Sequence, residues 1–388
     1  MKGLLQKIPK VALFLATNEK NGRDKLQGIL RYVRLHTPWN IHIVENRIGE
    51  QKLGDLREWG ATGVIVARMP ESVRTVARAR VPTVVLDSRT LYARQLADAS
   101  FVTCDSEVIG RAGAEFFLKQ GFKNFAYVAD TEPWDWSVLR GRAFCGRVSE
   151  EGLACDVYDG GTERRSDWAR DEKRLARWLA ELPKPCAVLA ARDGRARQVL
   201  EACLAAGLEV PGDVALLGVD NEEILCENSS PTLSSIQPDS EEAGYRAADL
   251  LERLMRGSLR KSQTLSYGVR QIVARESSRS ARATDRRLLR GLEFIRLNAG
   301  EGVAVADVAS HMGVSRRMAE LLFRKHAGCS ILDSVQQTRL GRLKTFLSET
   351  SLPIGQISAQ CGYQTEMHAK RVFKRMTGMT MSQFRKRG

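Results

Sequence analysis

Short runs of apolar and β-branched residues recur through the first 275 residues, each four to six residues long. Runs of this length, bounded by polar residues, are typical of buried strands. They predict strands at 11–15, 41–45, 63–67, 83–86, 101–104, 125–129, 187–190 and 214–219. Several of the intervening segments carry apolar residues at helical spacing and predict helices at 111–120, 136–151, 170–181 and 195–206.

This alternation of strands and helices predicts an α/β fold, with parallel sheets covered by helices on both faces. The length fits a bilobed domain over residues 8–275, with lobes at about 8–106 and 107–235. A return segment at 234–240 crosses back near the hinge. The polar, small-residue-rich stretch 276–284 predicts a linker. In such folds, ligands bind at the carboxyl ends of the strands.

Beyond the linker the apolar period becomes purely helical, and one unit occurs twice within residues 285–388. VADVASHMG at 305–313 recurs as IGQISAQCG at 354–362, and each copy continues into a basic stretch, 315–325 and 365–375. Helix, glycine turn and helix is the helix-turn-helix pattern, whose second helix can enter the DNA major groove. The pattern predicts an all-α domain with two such units, separated by one long helix at 331–347.

In the first unit, Ser315 is placed to cap the second helix. The spacing predicts four core residues, namely Met318, Ala319, Leu322 and Phe323. It leaves the polar side chains on other faces as candidate DNA contacts, namely Arg316, Arg317, Glu320 and Arg324, together with Ser315 itself. Arginine can pair with guanine in bidentate fashion, and glutamate can accept from cytosine.

In the second unit, Pro353 begins the first helix and Thr365 is the expected cap of the second. The supporting face is predicted to consist of Ile354, Ile357, Ser358 and Cys361. The candidate base or phosphate contacts are Gln364, Thr365, Glu366, Met367, Lys370, Arg371 and Lys374. The turn of this copy is one residue longer than that of the first, so the two units are expected to differ in how they meet DNA.

Charge is distributed unevenly along the 388 residues. Residues 281–388 hold 19 Lys and Arg against 8 Asp and Glu, a net charge of +11 out of +14 for the whole chain. A basic surplus concentrated in the segment with the helix-turn-helix units is the electrostatic signature of DNA binding. Solvated surface charge alone would not explain this asymmetry.

The remaining composition excludes several other classes of protein. The sequence shows no signal-peptide pattern and no apolar stretch of about 18 residues, so a cytoplasmic protein without a membrane partner is expected. The eight cysteines form no CxxC pair and show no zinc or disulfide spacing, so most of them are expected to be small buried hydrophobes. The five histidines have no ligand spacing either. No metal, cofactor or catalytic residue is predicted.

Residues 8–275 resemble the periplasmic-binding-protein-like sensory domain of LacI/GalR regulators. The resemblance rests on GVIVA at 63–67, VPTVVLD at 81–87, VPGDVALLGVD at 210–220 and LSSIQPD at 233–239. A nucleotide-binding α/β domain is the structural alternative, but neither GxGxxG nor GxxxxGK[ST] is present to support it.

The resemblance and the strand ends together predict a sugar-binding cleft. Asp220 matches the carboxylate and Arg140 the arginine with which that family contacts sugars. Other candidates follow strand ends or lie in loops beside them, namely Asp193, Arg192, Asp87, Arg89, Trp134, Trp136 and Gln237. Carboxylates and guanidinium groups suit sugar hydroxyls, and aromatic faces pack on the ring. Arg192 stands where the family usually has Asn or Thr, and Ser88-Arg89 departs from its common Asp-Arg.

Residues 285–387 resemble the AraC/XylS family DNA-binding domain. The second unit carries the more diagnostic phrases, IxxxCGY within 357–363, RVFK at 371–374 and FR at 384–385. It departs from the family at His368-Ala369, where Tyr-Phe is usual, and at Met381, where Pro is usual. These departures are expected to loosen packing under its second helix.

The two halves together resemble sugar-responsive activators that combine these domains. The resemblance implies an activator that binds an aldopentose, with xylose favoured, and binds promoter DNA as a homodimer to act on RNA polymerase. The alternatives are an activator responding to another sugar, a repressor, or an α/β sugar-processing enzyme tethered to DNA. The last would require a nucleophile, a metal cluster or a phosphate loop, which the sequence does not offer.

Overall fold

A computed structural model describes residues 8–44, 56–67, 73–87, 92–96, 98–132, 134–159, 168–259, 261–278 and 286–385. The chain divides into two compact units, Met1–Arg279 and Ser280–Gly388. The first is a bilobed α/β domain and the second is all-α, as the sequence predicts.

The first lobe is built on a parallel sheet in the order β11-β5-β4-β3-β1-β2. Its strands are β1 Lys10–Phe14, β2 Asn40–Val44, β3 Gly63–Val66, β4 Thr83–Leu86, β5 Ser100–Cys104 and β11 Thr264–Tyr267. Every residue of β3 and β4 is buried. Helices cover both faces, which is why these strands are continuous apolar runs. The helices are α1 Lys20–Leu35, α2 Leu56–Trp59 and α3 Val73–Ala79, together with α9 Ser240–Met255.

The second lobe repeats the plan with the order β12-β10-β9-β8-β6-β7, in which only the β10–β12 pair is antiparallel. Its strands are β6 Asn124–Val128, β7 Cys155–Tyr158, β8 Cys186–Ala190, β9 Val214–Val219, β10 Ser234–Pro238 and β12 Val269–Val273. Its helices are α4 Ser106–Lys119, α5 Asp135–Ser149, α6 Trp168–Glu181, α7 Asp193–Ala205 and α8 Glu223–Glu227. All eight predicted strands are confirmed to within one residue at each end.

The chain passes between the lobes three times, at residues 104–106, 238–240 and 267–269. The predicted return segment is strand β10, which belongs to the second sheet, and the chain returns to the first lobe just after it. There α9 packs closely on α1. A Cβ on Gly28 would clash with the Glu241 carbonyl oxygen, and one on Gly244 with that of Lys25. Reciprocal glycines therefore allow the two backbones to approach.

The structure contradicts two expectations from the sequence, one about the linker and one about the cysteines. Glu276–Ser278, assigned to the linker, form a 3₁₀ turn in which the Ser277 hydroxyl donates to the Leu216 carbonyl oxygen at 2.8 Å. Ser277 and Ser278 are buried, because their hydroxyls bond the interior backbone and Ser234. These residues are part of the first unit. The rest of the predicted linker lies outside the described residues.

The second correction concerns the cysteines, two of which form a disulfide that the sequence did not predict. Cys145 of α5 and Cys155 of β7 are paired as a disulfide, with their Cα atoms 5.3 Å apart. Packing of α5 beside the start of β7 brings the two together, which no sequence motif indicates. Cys186, Cys203, Cys226 and Cys361 are free and buried, as expected of small hydrophobes.

The second unit consists of two helical triplets, each with its own core. The helices are α10 Arg286–Asn298, α11 Val305–His311, α12 Arg316–Leu322, α13 Ile331–Glu349, α14 Ile354–Gln360, α15 Glu366–Thr377 and α16 Met381–Arg385. Phe323 is at the centre of the first core and Phe373 at the centre of the second, and both are fully buried. The long helix α13 contributes residues to both cores, confirming its predicted place between the two units.

Candidate functional site

Charged side chains of the second lobe follow the carboxyl ends of β6, β8 and β9, at one edge of the sheet. Asp220, directly after β9, has a φ of +104°, a region that non-glycine residues seldom occupy and that clusters at functional sites. Burial raises the pKa of its carboxyl to about 6, and the charge of Arg140 opposes that rise most strongly. Asp220 and Arg140 therefore lie within electrostatic reach of each other, as the sequence predicts.

Arg140, on α5, is buried although it carries a permanent charge. One of its terminal nitrogens donates to the Ala191 carbonyl oxygen. Its guanidinium carbon lies 5.0 Å from the ring centre of Trp136, a cation–π contact. Its Nε is buried and has no hydrogen-bond partner among the described residues. A buried donor left unsatisfied costs about 1–3 kcal/mol, which a polar ligand would recover.

The first lobe contributes a cluster that sequence reasoning identified only in part. Asp87, after β4, has a φ of +59° and accepts from Lys25, a residue of α1 that is only 4% exposed. The Tyr267 hydroxyl donates to the same carboxylate, 2.9 Å from each oxygen. Lys25 and Tyr267 were missed because each lies inside a regular element. A lysine on the apolar face of α1 is the signal that could have identified the first.

The Cys104 thiol is influenced by charged groups of both lobes. Burial raises the pKa of Cys104 to about 12, with a further contribution from Asp87. Arg140 and Lys25 oppose the rise, and Asp220 adds to it. Two charged groups from each lobe are therefore close enough to the end of β5 to act on the same thiol. A space bordered by carboxylates, a guanidinium and an ammonium suits a neutral polyol that both donates and accepts hydrogen bonds.

Two other candidates, Arg192 and Asp193, are placed differently from each other. Arg192 is partly exposed, and its Nε donates at 2.5 Å to Asp130, a buried carboxylate that sequence reasoning missed. Asp193 is 2% exposed and accepts from three donors, the Glu222 backbone N–H at 2.7 Å, the Ser235 hydroxyl at 2.6 Å and the Cys226 thiol. These three hydrogen bonds tie the Asp193 carboxylate to the loop after β9 and to β10.

The structure describes three of the four remaining sensory candidates. Trp134 is half-buried directly before α5, and Trp136 is the residue that packs on Arg140. The Gln237 side chain accepts from Gln271 at 2.8 Å. It also borders a polar cavity of about 390 Å³ whose lining includes Asn221 but neither Asp220 nor Arg140. Arg89 lies outside the described residues.

The second unit forms the candidate DNA interface. In the first helix-turn-helix, the Ser315 hydroxyl accepts from the Met318 N–H at 3.3 Å, which confirms the predicted cap. Arg316, Arg317 and Arg324 are exposed, whereas Glu320 is half-buried. Met318 was predicted to be in the core but is 38% exposed. It lies in the first turn of a short helix, where Ala319 and Leu322 already fill the buried stripe.

In the second helix-turn-helix, the Thr365 hydroxyl accepts from the His368 N–H at 3.2 Å. Each of the predicted contacts on this side is exposed, namely Gln364, Thr365, Glu366, Met367, Lys370, Arg371 and Lys374. Lys370 is ion-paired with Glu366 one turn away. Ala369 and Met381 are both buried in the second core, so the residues that depart from the family pattern still pack beneath α15.

Comparison with known proteins supports the interpretation of both units of the chain. Residues 114–278 match the model of a periplasmic binding protein-like domain, and residues 308–387 that of a helix-turn-helix domain. The xylose operon regulatory protein of Escherichia coli K12 is 26% identical over 380 residues, covering 97% of this chain and 96% of the relative. Its counterpart in Haemophilus influenzae is 25% identical, covering 97% of this chain and 98% of the relative.

A solved structure of the xylose-binding transcription activator XylR superposes with a TM-score of 0.76 at 27% identity, covering 98% of both chains. The chain is a transcriptional regulator. It resembles the xylose regulators in both domains and in their order, and these relatives are regulators rather than enzymes. Within the described residues, no helix is long and apolar enough to cross a membrane.

Proposed function

We propose that this regulator is a cytoplasmic, xylose-responsive activator that binds the aldopentose in the cleft between its two lobes. The observation that carries the proposal is the convergence of Asp220 and Arg140 from one lobe with Lys25 and Asp87 from the other. A pyranose presents hydroxyl groups on all sides, so it can satisfy charged groups of both lobes at once. The full-length relatives are a xylose operon regulatory protein and a xylose-binding activator, which supports xylose as the sugar.

Charge-assisted hydrogen bonds to Arg140 and Asp220 would hold the hydroxyls, and the buried Arg140 Nε is a donor available to them. The Trp136 ring, with its centre 5.0 Å from the guanidinium carbon, would help to hold the group in place. Arg192 and Trp134 border the same edge, and we propose that they contact the sugar. The proposal gives Asp87 the role of orienting Lys25, and leaves Gln237 and Arg89 as peripheral contacts.

On the DNA side, we propose that α12 and α15 enter the major groove at neighbouring positions. Among the described residues no ion pair holds Arg316 or Arg317, and we assign base recognition to them, whereas the Glu366–Lys370 pair favours a positioning role for α15. Paired half-sites are read by two-fold symmetric regulators, so the active species is a homodimer. Bound there, it acts on RNA polymerase to activate transcription.

Calorimetric titration of the full chain with D-xylose, L-arabinose, D-ribose and D-glucose tests the sugar-binding part of the proposal. The proposal expects saturable binding of D-xylose, at least about tenfold tighter than the others, since loss of one well-made hydrogen bond costs about 1.4 kcal/mol. No measurable binding of any pentose would refute it. A reporter assay with and without D-xylose separates an activator from a repressor.

A further inference from the structure

The carboxylate of Glu222, in the second lobe, caps the N-terminus of α1, a helix of the first lobe. The 16-residue helix α1 begins at Lys20, and its own N-cap residue, Glu19, makes no side-chain capping bond. The Lys20 backbone N–H instead donates to Glu222 Oε2 at 2.5 Å. Glu222 lies between β9 and α8, so this cap crosses the gap between the lobes.

The same carboxylate also makes an ion pair with α1. Arg23 Nη2 donates to Glu222 Oε1 at 2.7 Å, so both carboxylate oxygens of Glu222 bind the first turn of the helix. The Lys20 ammonium adds a weaker contact at 3.3 Å to Glu223. A negative charge at a helix N-terminus is further favoured by the aligned peptide dipoles. These bonds can form only when the second lobe is close to α1.

Glu222 is also connected to the proposed sugar site. It follows Asp220 by two residues, and its backbone N–H donates to the buried Asp193 carboxylate at 2.7 Å. Asn221 between them is buried and has a φ of +51°. This loop has little freedom to move independently of the strand ends, so a displacement of Asp220 is transmitted to Glu222.

We infer that Glu222 is a cross-lobe latch, in which a side chain of one lobe caps and ion-pairs α1 of the other and thereby sets the balance between closed and open clefts. The latch holds part of the population closed before any sugar binds. The inference rests on the proposed sugar cleft only for the direction in which ligand shifts this balance.

Energy transfer between dyes at Leu35 and Leu204, both exposed and on different lobes, measures the opening in the full chain. The dyes are attached through non-natural amino acids, because the chain contains free cysteines. Without sugar, Glu222→Ala is expected to lower the closed-to-open ratio about tenfold, as the helix loses its cap and an ion pair. Glu222→Gln, which keeps one acceptor but no charge, is expected to lie between that variant and the parent.

The matched control is Glu227→Gln at the end of α8, the short helix that follows Glu222, since the Glu227 carboxylate pairs with Arg275 of its own lobe. It should leave the transfer efficiency unchanged. Arg23→Gln tests the latch from α1 and covers the case in which Glu222→Ala does not fold. Transfer efficiency identical to the parent in folded Glu222→Ala would overturn the latch. If the variant opens but D-xylose closes neither protein, the latch stands and the proposed sugar fails.

Discussion

Asp193 and Asp220 both follow strands of the second sheet, yet their carboxylates have different surroundings. Burial, followed by the charge of Asp220, raises the pKa of Asp193 to about 8, and three hydrogen-bond donors oppose that rise. The pKa of Asp220 rises less, because Arg140, Lys25 and Arg192 offset its burial. The first carboxylate is used by the protein itself. The second faces cations, which makes it the acceptor available to a ligand.

Arg140→Lys is expected to weaken D-xylose binding about 10- to 100-fold, because an ammonium cannot reproduce the planar fork of donors. Calorimetry on the folded variant measures the effect. Arg197→Lys is the matched control, since Arg197 is exposed on α7 and pairs within its own helix with Glu201. Equal affinity of the parent and Arg140→Lys would remove Arg140 from the site.

Sugar binding is expected to weaken as the pH falls through about 6. An ionised Asp220 accepts hydroxyl donors with both oxygens, and a group of pKa about 6 is about one-tenth ionised at pH 5. Affinity should therefore fall about tenfold between about pH 7.5 and pH 5. The groups that face Asp220 are Arg140, Lys25 and Arg192, together with the acidic Glu19 and Asp193. A flat profile over this range would contradict the assignment.

At the scale of elements, most interior strands were predictable because both faces are covered and the apolar run is continuous. Strands β7, β11 and β12 escaped prediction, since each is at a sheet edge and half-exposed, so its sequence lacks such a run. The interior strand β10 was expected only as a return segment, because its buried sequence SSIQP is largely polar. The helix-turn-helix caps followed from the positions of Ser315 and Thr365. Asp130 and Tyr267 could not be placed from the sequence, since their roles depend on contacts with residues far along the chain.

Gly28→Ala is expected to destabilise the first unit by about 1–3 kcal/mol, because the added methyl group would force α1 and α9 apart in a packed interface. Chemical denaturation measures the change. Gly146→Ala is the control, since nothing lies within 4 Å of a Cβ at this site on α5. There alanine should be neutral or stabilising by up to about 1 kcal/mol. Equal effects of the two substitutions would contradict the close approach of α1 and α9.

The two recognition helices are expected to respond differently to loss of charge. Arg317→Ala should cost about 1–3 kcal/mol of specific binding and relax base preference at one position. Lys370→Ala should cost less, because its ammonium is paired with Glu366. Fluorescence anisotropy with a DNA fragment selected from a random library measures both. Lys344→Ala, exposed on α13, is the control. A larger loss for Lys370→Ala would reverse the assigned roles.

At the scale of the whole molecule, the sequence allowed the order of the domains and their kinds to be predicted, and the full-length relatives share both. Net charge concentrated beyond residue 280 gives the second unit its attraction for DNA, which salt weakens. The sensory unit has little net charge, so its influence on DNA binding must pass through a change of conformation or assembly. Such a change is the coupling that a ligand-responsive regulator requires.

The most direct test of this account is the affinity of the full chain for its selected DNA fragment, measured by anisotropy with and without saturating D-xylose at fixed salt. The account predicts at least about fivefold tighter binding with sugar, the lower end of typical allosteric coupling. D-glucose should have no effect, and Arg140→Lys should shift the response to about 10- to 100-fold higher D-xylose concentrations while leaving basal DNA affinity unchanged. Identical DNA affinity of the parent with and without D-xylose would contradict the account.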